Sequence, residues 1–170
     1  MVTKDLKIYG LHNHAMILFL LDTGVSVGEL IAIEKDKVDQ NSCSAKVIGK
    51  GNKKRVVFFS PTTSIAILKY TSSHNSKYLF ATEQNRQLDR YNVAKALKRI
   101  CQRAGVPNYS PHNFRHTFAV NYLHKYPNIY ALQQMMGHSS LDMVKLYLVI
   151  SEQDLKLAHM HASRVDIWNL

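Results

Sequence analysis

His112, Arg115 and His116 stand three and four positions apart, the spacing that places side chains on one face of a helix. Just ahead of them, Ser110-Pro111 has the composition of a helix start, a hydroxyl at the N-cap and proline in the first turn. An imidazole and a guanidinium therefore lie side by side near a helix N-terminus, where backbone partial charge favours an anion. Histidines at i and i+4 also suit a zinc pair. A zinc hydrolase would carry glutamate where this chain has Asn113, however, and no third ligand is evident, so no metal is expected. Alone, such a pair is most often structural.

A second cluster changes that balance. Gly137-His138-Ser139-Ser140 reads as a tight turn between helices, and the helix that follows carries Tyr147. A tyrosine on an amphipathic helix is ordinarily core. One that follows a histidine turn, downstream of a His-x-x-Arg helix, is much less ordinary. Transfer at an anionic phosphodiester depends on positioned positive charge and an aligned nucleophile, and these residue types supply both. The bulk charge agrees. Lys and Arg number 22 against 12 acidic residues, a net charge of +10 and a pI near 9.6. That favours a polyanionic partner (DNA, RNA or an anionic membrane surface), with a merely basic soluble protein as the plain alternative.

The elements that must position these groups are mostly helical. A chain of 170 residues, 46% apolar and 20% charged, fits one globular domain, 1–170. An apolar helix is predicted over 13–22, stopping near Thr23-Gly24, and a short one over 27–33. Segments 44–48 and 55–59 are β-rich and flank the basic glycine-containing stretch 49–54, the pattern of a hairpin. A helix follows from Pro61 to Tyr70, then a short strand at 78–81 that extends the small sheet. Val93, Leu97, Ile100 and Ala104 fall at helical spacing across 91–104. Lys95, Arg99 and Arg103 run down another side of that helix, either as a solvated face or as phosphate contacts. Further helices are predicted over 111–125, 128–136, 140–149 and 152–160, the last opened by a Ser151/Asp154 capping box. The fold class is α+β, mostly α, with a small antiparallel sheet near the N-terminal third.

Other classes fall away. The longest apolar run, Ala15 to Leu21, is far short of the ~20 residues that span a bilayer, so no membrane attachment is expected. No charged-then-apolar leader precedes it, so secretion is not expected either. Cys43 and Cys101 are isolated and read as reduced thiols, consistent with a cytoplasmic location.

Four stretches together carry a family resemblance: TGVSVGEL (23–30), GKGNKKRVVFF (49–59), HNFRH (112–116) and MMGHSSLDMVKLY (135–147). In this order and at these separations they resemble the successive signature boxes of tyrosine recombinases, the phage integrase family. The resemblance covers residues 13 to about 150, the catalytic domain. The helical core-binding domain that members carry before it is not seen here.

The resemblance implies roles. Tyr147 attacks a backbone phosphorus, forming a 3′-phosphotyrosine and releasing a 5′-hydroxyl; storing the bond covalently needs no ATP or other cofactor. His112 handles the tyrosine proton as general base and acid. Lys50, at the ribbon tip, protonates the departing 5′-oxygen. Arg115 and His138 bind the non-bridging oxygens. Glu29 matches a supporting acidic position, and His116 packs and orients its neighbours. Lys53, Lys54 and Arg55 are backbone contacts to DNA, or else simply a solvated hairpin. The implied partner is double-stranded DNA, with self-association into a tetrameric synapse, in a prokaryotic, nucleoid-associated setting. The tail 151–170, with Trp168, either docks on a neighbouring protomer or packs on its own domain.

One departure matters. At position 26 the family presents an arginine that clamps the phosphate together with Arg115; here it is Ser26, which has neither charge nor reach. By analogy with arginine fingers, that loss costs roughly 10³–10⁵ in rate, or about 4–7 kcal/mol. Gly28, where a small polar residue is frequent, is a lesser departure. Ser26 is then a natural variant with weak or lost cleavage, the mark of a decaying mobile-element gene, or an engineered substitution. Three readings follow: a site-specific recombinase domain; a catalytically inactive DNA-binding module; and, lower, a type IB topoisomerase with the same nucleophile chemistry.

Overall fold

The computed structural model describes residues 2–107, 110–138, 140–145, 147 and 159, with the side chains of 2–9 and of Lys50 outside the description. The first helix, α1 (Val2–Thr23), buries Ala15, Met16, Phe19 and Leu20 almost completely. The predicted helix over 13–22 is the C-terminal half of this element. Its first half was not legible because Lys4, Asp5, Lys7 and Gly10 interrupt the apolar residues there. α1 stops at Gly24, whose φ of +62° belongs to the left-handed region and whose N–H closes on Leu20 O at 3.1 Å. A Cβ at Gly24 would lie 2.3 Å from a ring carbon of Phe118, so glycine here also lets two helices meet.

After α2 (Val27–Ala32) come three antiparallel strands in the order β1 (Val38–Asp39), β2 (Ser44–Ile48) and β3 (Lys54–Phe58). Side chains alternate across the sheet: Ala45, Val47 and Val57 are buried, while Ile48, Val56 and Phe58 are exposed. β1 was not predicted, being only two residues long. The predicted strand at 78–81 does not extend this sheet. Tyr78 forms an isolated bridge to Glu34 and Ala81 one to Gln87, while Leu79 and Phe80 point into the core. Its apolar pattern reports burial beneath α1, not strand pairing.

Asp22 ties the end of α1 to the next helix, α3 (Pro61–Thr71), accepting from Ser60 N at 2.5 Å and Thr63 Oγ1 at 2.7 Å. α4 (Arg90–Arg103), capped by Asp89, buries Val93, Leu97 and Cys101. That seam displaces the expected Ile100, which is half-buried, and Ala104, which is exposed. α5 (Pro111–Lys125), α6 (Ile129–Met136) and α7 (Asp142–Lys145) complete the described helices. Ser110 occupies the α5 N-cap position, but its hydroxyl bonds Asn113 Oδ1 at 2.6 Å, not a backbone N–H. The predicted helix over 140–149 is described only as α7. That over 152–160 and the tail, with Trp168, lie outside the described residues apart from helical His159. No described helix is long and apolar enough to cross a membrane.

Two cores result. The larger gathers α1, α3, α4 and the sheet and reaches Phe114 on α5; the smaller comprises Ala119, Leu132, Met136, Val144 and Tyr147. Arg115 sits on α5 where the two meet.

Candidate active site

Arg115 is 9% exposed, and a buried guanidinium is tolerated only if its donors are occupied. Nη1 donates to Gly24 O at 2.8 Å and Nη2 to Met136 O at 2.7 Å. These carbonyls lie at the C-terminal ends of α1 and α6, where helices leave acceptors unsatisfied and carry partial negative charge. Both glycine-stopped helices thus aim at one cation. Glu29 Oε2 stands 3.6 Å from Nη1.

Glu29, itself 6% exposed, organises the neighbourhood. Its Oε2 accepts from Ser26 N at 2.7 Å, and its own N–H donates to Ser26 Oγ at 3.2 Å, a reciprocal capping box on α2. Its Oε1 accepts from Arg55 Nε at 3.2 Å and Nη2 at 2.9 Å. Arg55 also donates to Met135 O at 2.5 Å. A Cβ at Gly137 would stand 2.9 Å from Arg55 Nε, so glycine at the α6 stop (φ +66°) clears the path for that side chain. Arg55 therefore differs from its expected role. It turns inward and anchors the β-ribbon to α2 and α6, whereas Lys53 and Lys54 beside it are exposed.

His138 follows that glycine. Its Nε2 lies 2.7 Å from Arg115 Nη2. Arginine can only donate, so Nε2 accepts and the ring proton belongs on Nδ1, which has no hydrogen-bond partner among the described residues. Burial, then the charges of Arg115 and Arg55, push its pKa down to about 4. The ring is therefore neutral at pH 7, with Nδ1–H as the donor it can offer.

Tyr147, 5% exposed, stacks on His138 with ring centroids 6.2 Å apart and planes 15° apart. His116, itself exposed, meets the same ring edge-on at 5.3 Å. His112 is exposed, one turn before His116. With Val25, Ser26, Val27, Ser110, Pro111 and Arg115 it lines a cavity of about 300 Å³. The structure thus brings Arg115, His138, His116 and Tyr147 together, and His112 shares the cavity lining with Arg115. Among the described residues no third His, Cys, Asp or Glu joins His112 and His116 in a metal-sized group.

Ser26 lines that cavity too, but as a helix cap. Lys50 belongs to the short turn Lys50–Asn52 between β2 and β3, and its side chain, with the proton-donor role expected of it, lies outside the described residues. Along α4, Lys95 and Arg99 line a second cavity of about 610 Å³ with Tyr91, Ala94, Lys98, Gln102, Ser110 and Pro111; Arg103 does not. Lys95 Nζ lies 5.9 Å from the Tyr91 ring centroid. The two cavities share Ser110 and Pro111. Sequence reasoning missed Lys98, although its place one turn beyond Lys95 signalled it. It also missed the Ser26-x-x-Glu29 capping box, whose spacing is a sequence signature in its own right.

The phage integrase family model matches residues 2–154. The tyrosine recombinase XerC of Staphylococcus carnosus (strain TM300) is 32% identical over 160 residues, covering 90% of this chain and 54% of that protein. XerC of Leptospira interrogans serogroup Icterohaemorrhagiae serovar copenhageni (strain Fiocruz L1-130) is 30% identical over 168 residues, covering 93% and 54%. The chain thus spans about half the length of the curated relatives it matches. Among solved structures, the XerA recombinase superposes with a TM-score of 0.79 at 25% identity, covering 95% of this chain and 62% of that one. The XerH recombinase bound to its difH substrate gives 0.75 at 22% identity, covering 92% and 51%, a likeness of fold. With a family model matching nearly its whole length and an Arg–His–Tyr cluster at the junction of its two cores, this chain belongs to the phage integrase family of tyrosine recombinases.

Proposed function

We propose that this chain cleaves and rejoins double-stranded DNA as the catalytic domain of a site-specific recombinase, with Tyr147 as nucleophile. The observation that carries this reading is the stacking of Tyr147 on the same His138 that accepts from Arg115. In the step itself, the Tyr147 oxygen bonds to phosphorus and the bond from phosphorus to the 5′-oxygen breaks. His112 takes the phenolic proton, and Lys50 gives one to the 5′-oxygen. Arg115 and the Nδ1–H of His138 serve the non-bridging oxygens as charge builds. Rejoining reverses each transfer, so strand exchange needs no external energy. Tyr147 is almost wholly covered, so the phenol has to come forward into the cavity beside His112 and Arg115 when DNA seats.

Lys53, Lys54, Lys95, Lys98 and Arg99 are exposed cations suited to the phosphate backbone. The XerH neighbour is a complex with its difH substrate, which supports DNA as partner. Assembly into a tetrameric synapse and a nucleoid-associated cytoplasmic location belong to this same reading.

A nicked suicide duplex tests it. A covalent protein–DNA adduct that disappears in Tyr147→Phe is the expected result. Salt-sensitive binding with no adduct from the wild-type chain or from Ser26→Arg would instead support an inactive DNA-binding module. Ser26 favours that second reading, because it sets a capped serine where the family presents a cation.

A further inference from the structure

The buried part of the site is poor in net charge. Arg55 and Arg115 contribute two positive charges, Glu29 takes one back, and His138, with its pKa at about 4, is neutral. Both guanidiniums are moreover pinned by backbone carbonyls. Arg115 lines the cavity from this fixed position, and Arg55 is not part of its lining. A phosphoryl transition state concentrates negative charge on its equatorial oxygens and calls for more than one positioned cation.

Arg90 opens α4, and its side chain reaches across to α2. A Cβ built at Gly28 would stand 2.7 Å from Arg90 Nη2 and 3.4 Å from its guanidinium carbon. The guanidinium occupies the space that any side chain at 28 would take. Gly28 adjoins Val27, which lines the His112–Arg115 cavity, and lies two residues from Ser26. In contrast to Arg55 and Arg115, Arg90 is exposed and has no ion-pair or hydrogen-bond partner among the described residues. The two departures in the 23–30 segment therefore belong together: serine removes a cation at 26, and glycine at 28 admits another from a different helix.

The geometry points to Arg90 as a surrogate cation for the scissile phosphodiester, brought into place by the missing side chain at Gly28. It makes and breaks no bond; it stabilises charge on the non-bridging oxygens. This inference rests on the recombinase reading above and adds to it the source of the second cation.

The test is a cycle of variants scored by the rate of adduct formation on the suicide duplex. Arg90→Ala slows it on the order of 10²-fold, as loss of one preorganised donor does, and Arg90→Lys recovers part of the loss. Gly28→Ala also slows it, although alanine favours the helix and should leave the melting temperature equal or higher. In a Ser26→Arg background both effects shrink to a few-fold, because the direct cation makes the surrogate redundant. Equal loss from Arg90→Ala in both backgrounds would mark an ordinary backbone contact and overturn the proposal. So would adduct formation by Ser26→Arg but not by the wild-type chain, which leaves the recombinase reading standing. If neither forms an adduct, the recombinase reading itself fails.

Discussion

Arg115 Nη2 and His138 Nε2 lie 2.7 Å apart, a contact in which the guanidinium must donate and the imidazole must accept. Protonating His138 removes that acceptor and places two like charges face to face. The consequence is a dependence of stability on acid. The folded-state pKa of His138 is about 4, below its ordinary 6.5. His74, tilted against Tyr70 with ring centroids 4.4 Å apart, is also lowered to about 4 by burial and the nearby charge of Lys35. Between those values the unfolded chain binds protons that the native one refuses, so the contribution of these two histidines makes stability fall as pH drops from 6.5 toward 4, and that contribution is constant beneath. Urea midpoints across that range should show the decline, and His138→Gln and His74→Gln should each flatten it. A slope unchanged in the double variant would remove these histidines as its cause.

Among the described residues Glu29 is the one carboxylate serving Arg55 and Arg115, and it also accepts from the backbone of Ser26. Glu29→Ala leaves two largely buried guanidiniums without their counter-charge and opens the α2 cap. Breaking a buried pair by removing one partner costs about 3–5 kcal/mol. The expected shift in denaturant midpoint is correspondingly large. Arg55→Ala should cost less, because it relieves one cation and leaves Glu29 with Arg115. A Glu29→Ala chain as stable as the wild type would mean the network contributes nothing net.

Gly24→Ala probes a different junction. The substitution meets a left-handed φ of +62° and a Phe118 ring carbon 2.3 Å from the new methyl. A left-handed alanine costs about 1–2 kcal/mol and forced overpacking about 1–3, together roughly 2–5. Adding Phe118→Leu should recover the steric part and leave the backbone part. Thermal unfolding of the single and double variants separates the two, and full recovery in the double would deny the conformational cost.

How far these features were legible in the sequence follows from the distance over which each is determined. His112, Arg115 and His116 declared themselves because helical spacing is local, and Gly137-His138 because a helix stop is local. Tyr147 needed the whole set of boxes, since a tyrosine in an amphipathic stretch is ordinary core, and by burial it is core here as well. Arg55 was misread because its partners, Glu29 and Met135, lie 26 and 80 residues away. In the sequence it is one of three consecutive basic residues and looks like the others. Arg90 was invisible for the same reason, as its meeting with Gly28 depends on how α4 packs on α2. The Ser26–Glu29 box is the opposite case. It is fully local, but a serine at the place of an absent arginine reads first as a loss of charge, which hides its role as a cap.

Those placements divide the basic residues into two kinds, and salt dependence distinguishes them. A cation that contacts a phosphate releases a counterion on binding, so its removal lowers the slope of log K against log salt by about 0.9 for duplex DNA. Lys95, Lys98 and Arg99 line the open cavity along α4, and Lys53 and Lys54 are exposed at the start of β3. Each replaced by alanine should reduce the slope by roughly that amount while leaving thermal stability nearly unchanged. Arg103, on the same helix but outside the cavity lining, should change it little. Arg55→Ala should do the reverse, lowering the melting temperature while the slope for the chain that remains folded is preserved, because its guanidinium already has Glu29 and Met135 as partners. Binding titrations over a range of salt concentrations, with melting curves for each variant, read both quantities. A slope that falls for Arg55→Ala as it does for Lys98→Ala would show that Arg55 leaves Glu29 to meet the DNA.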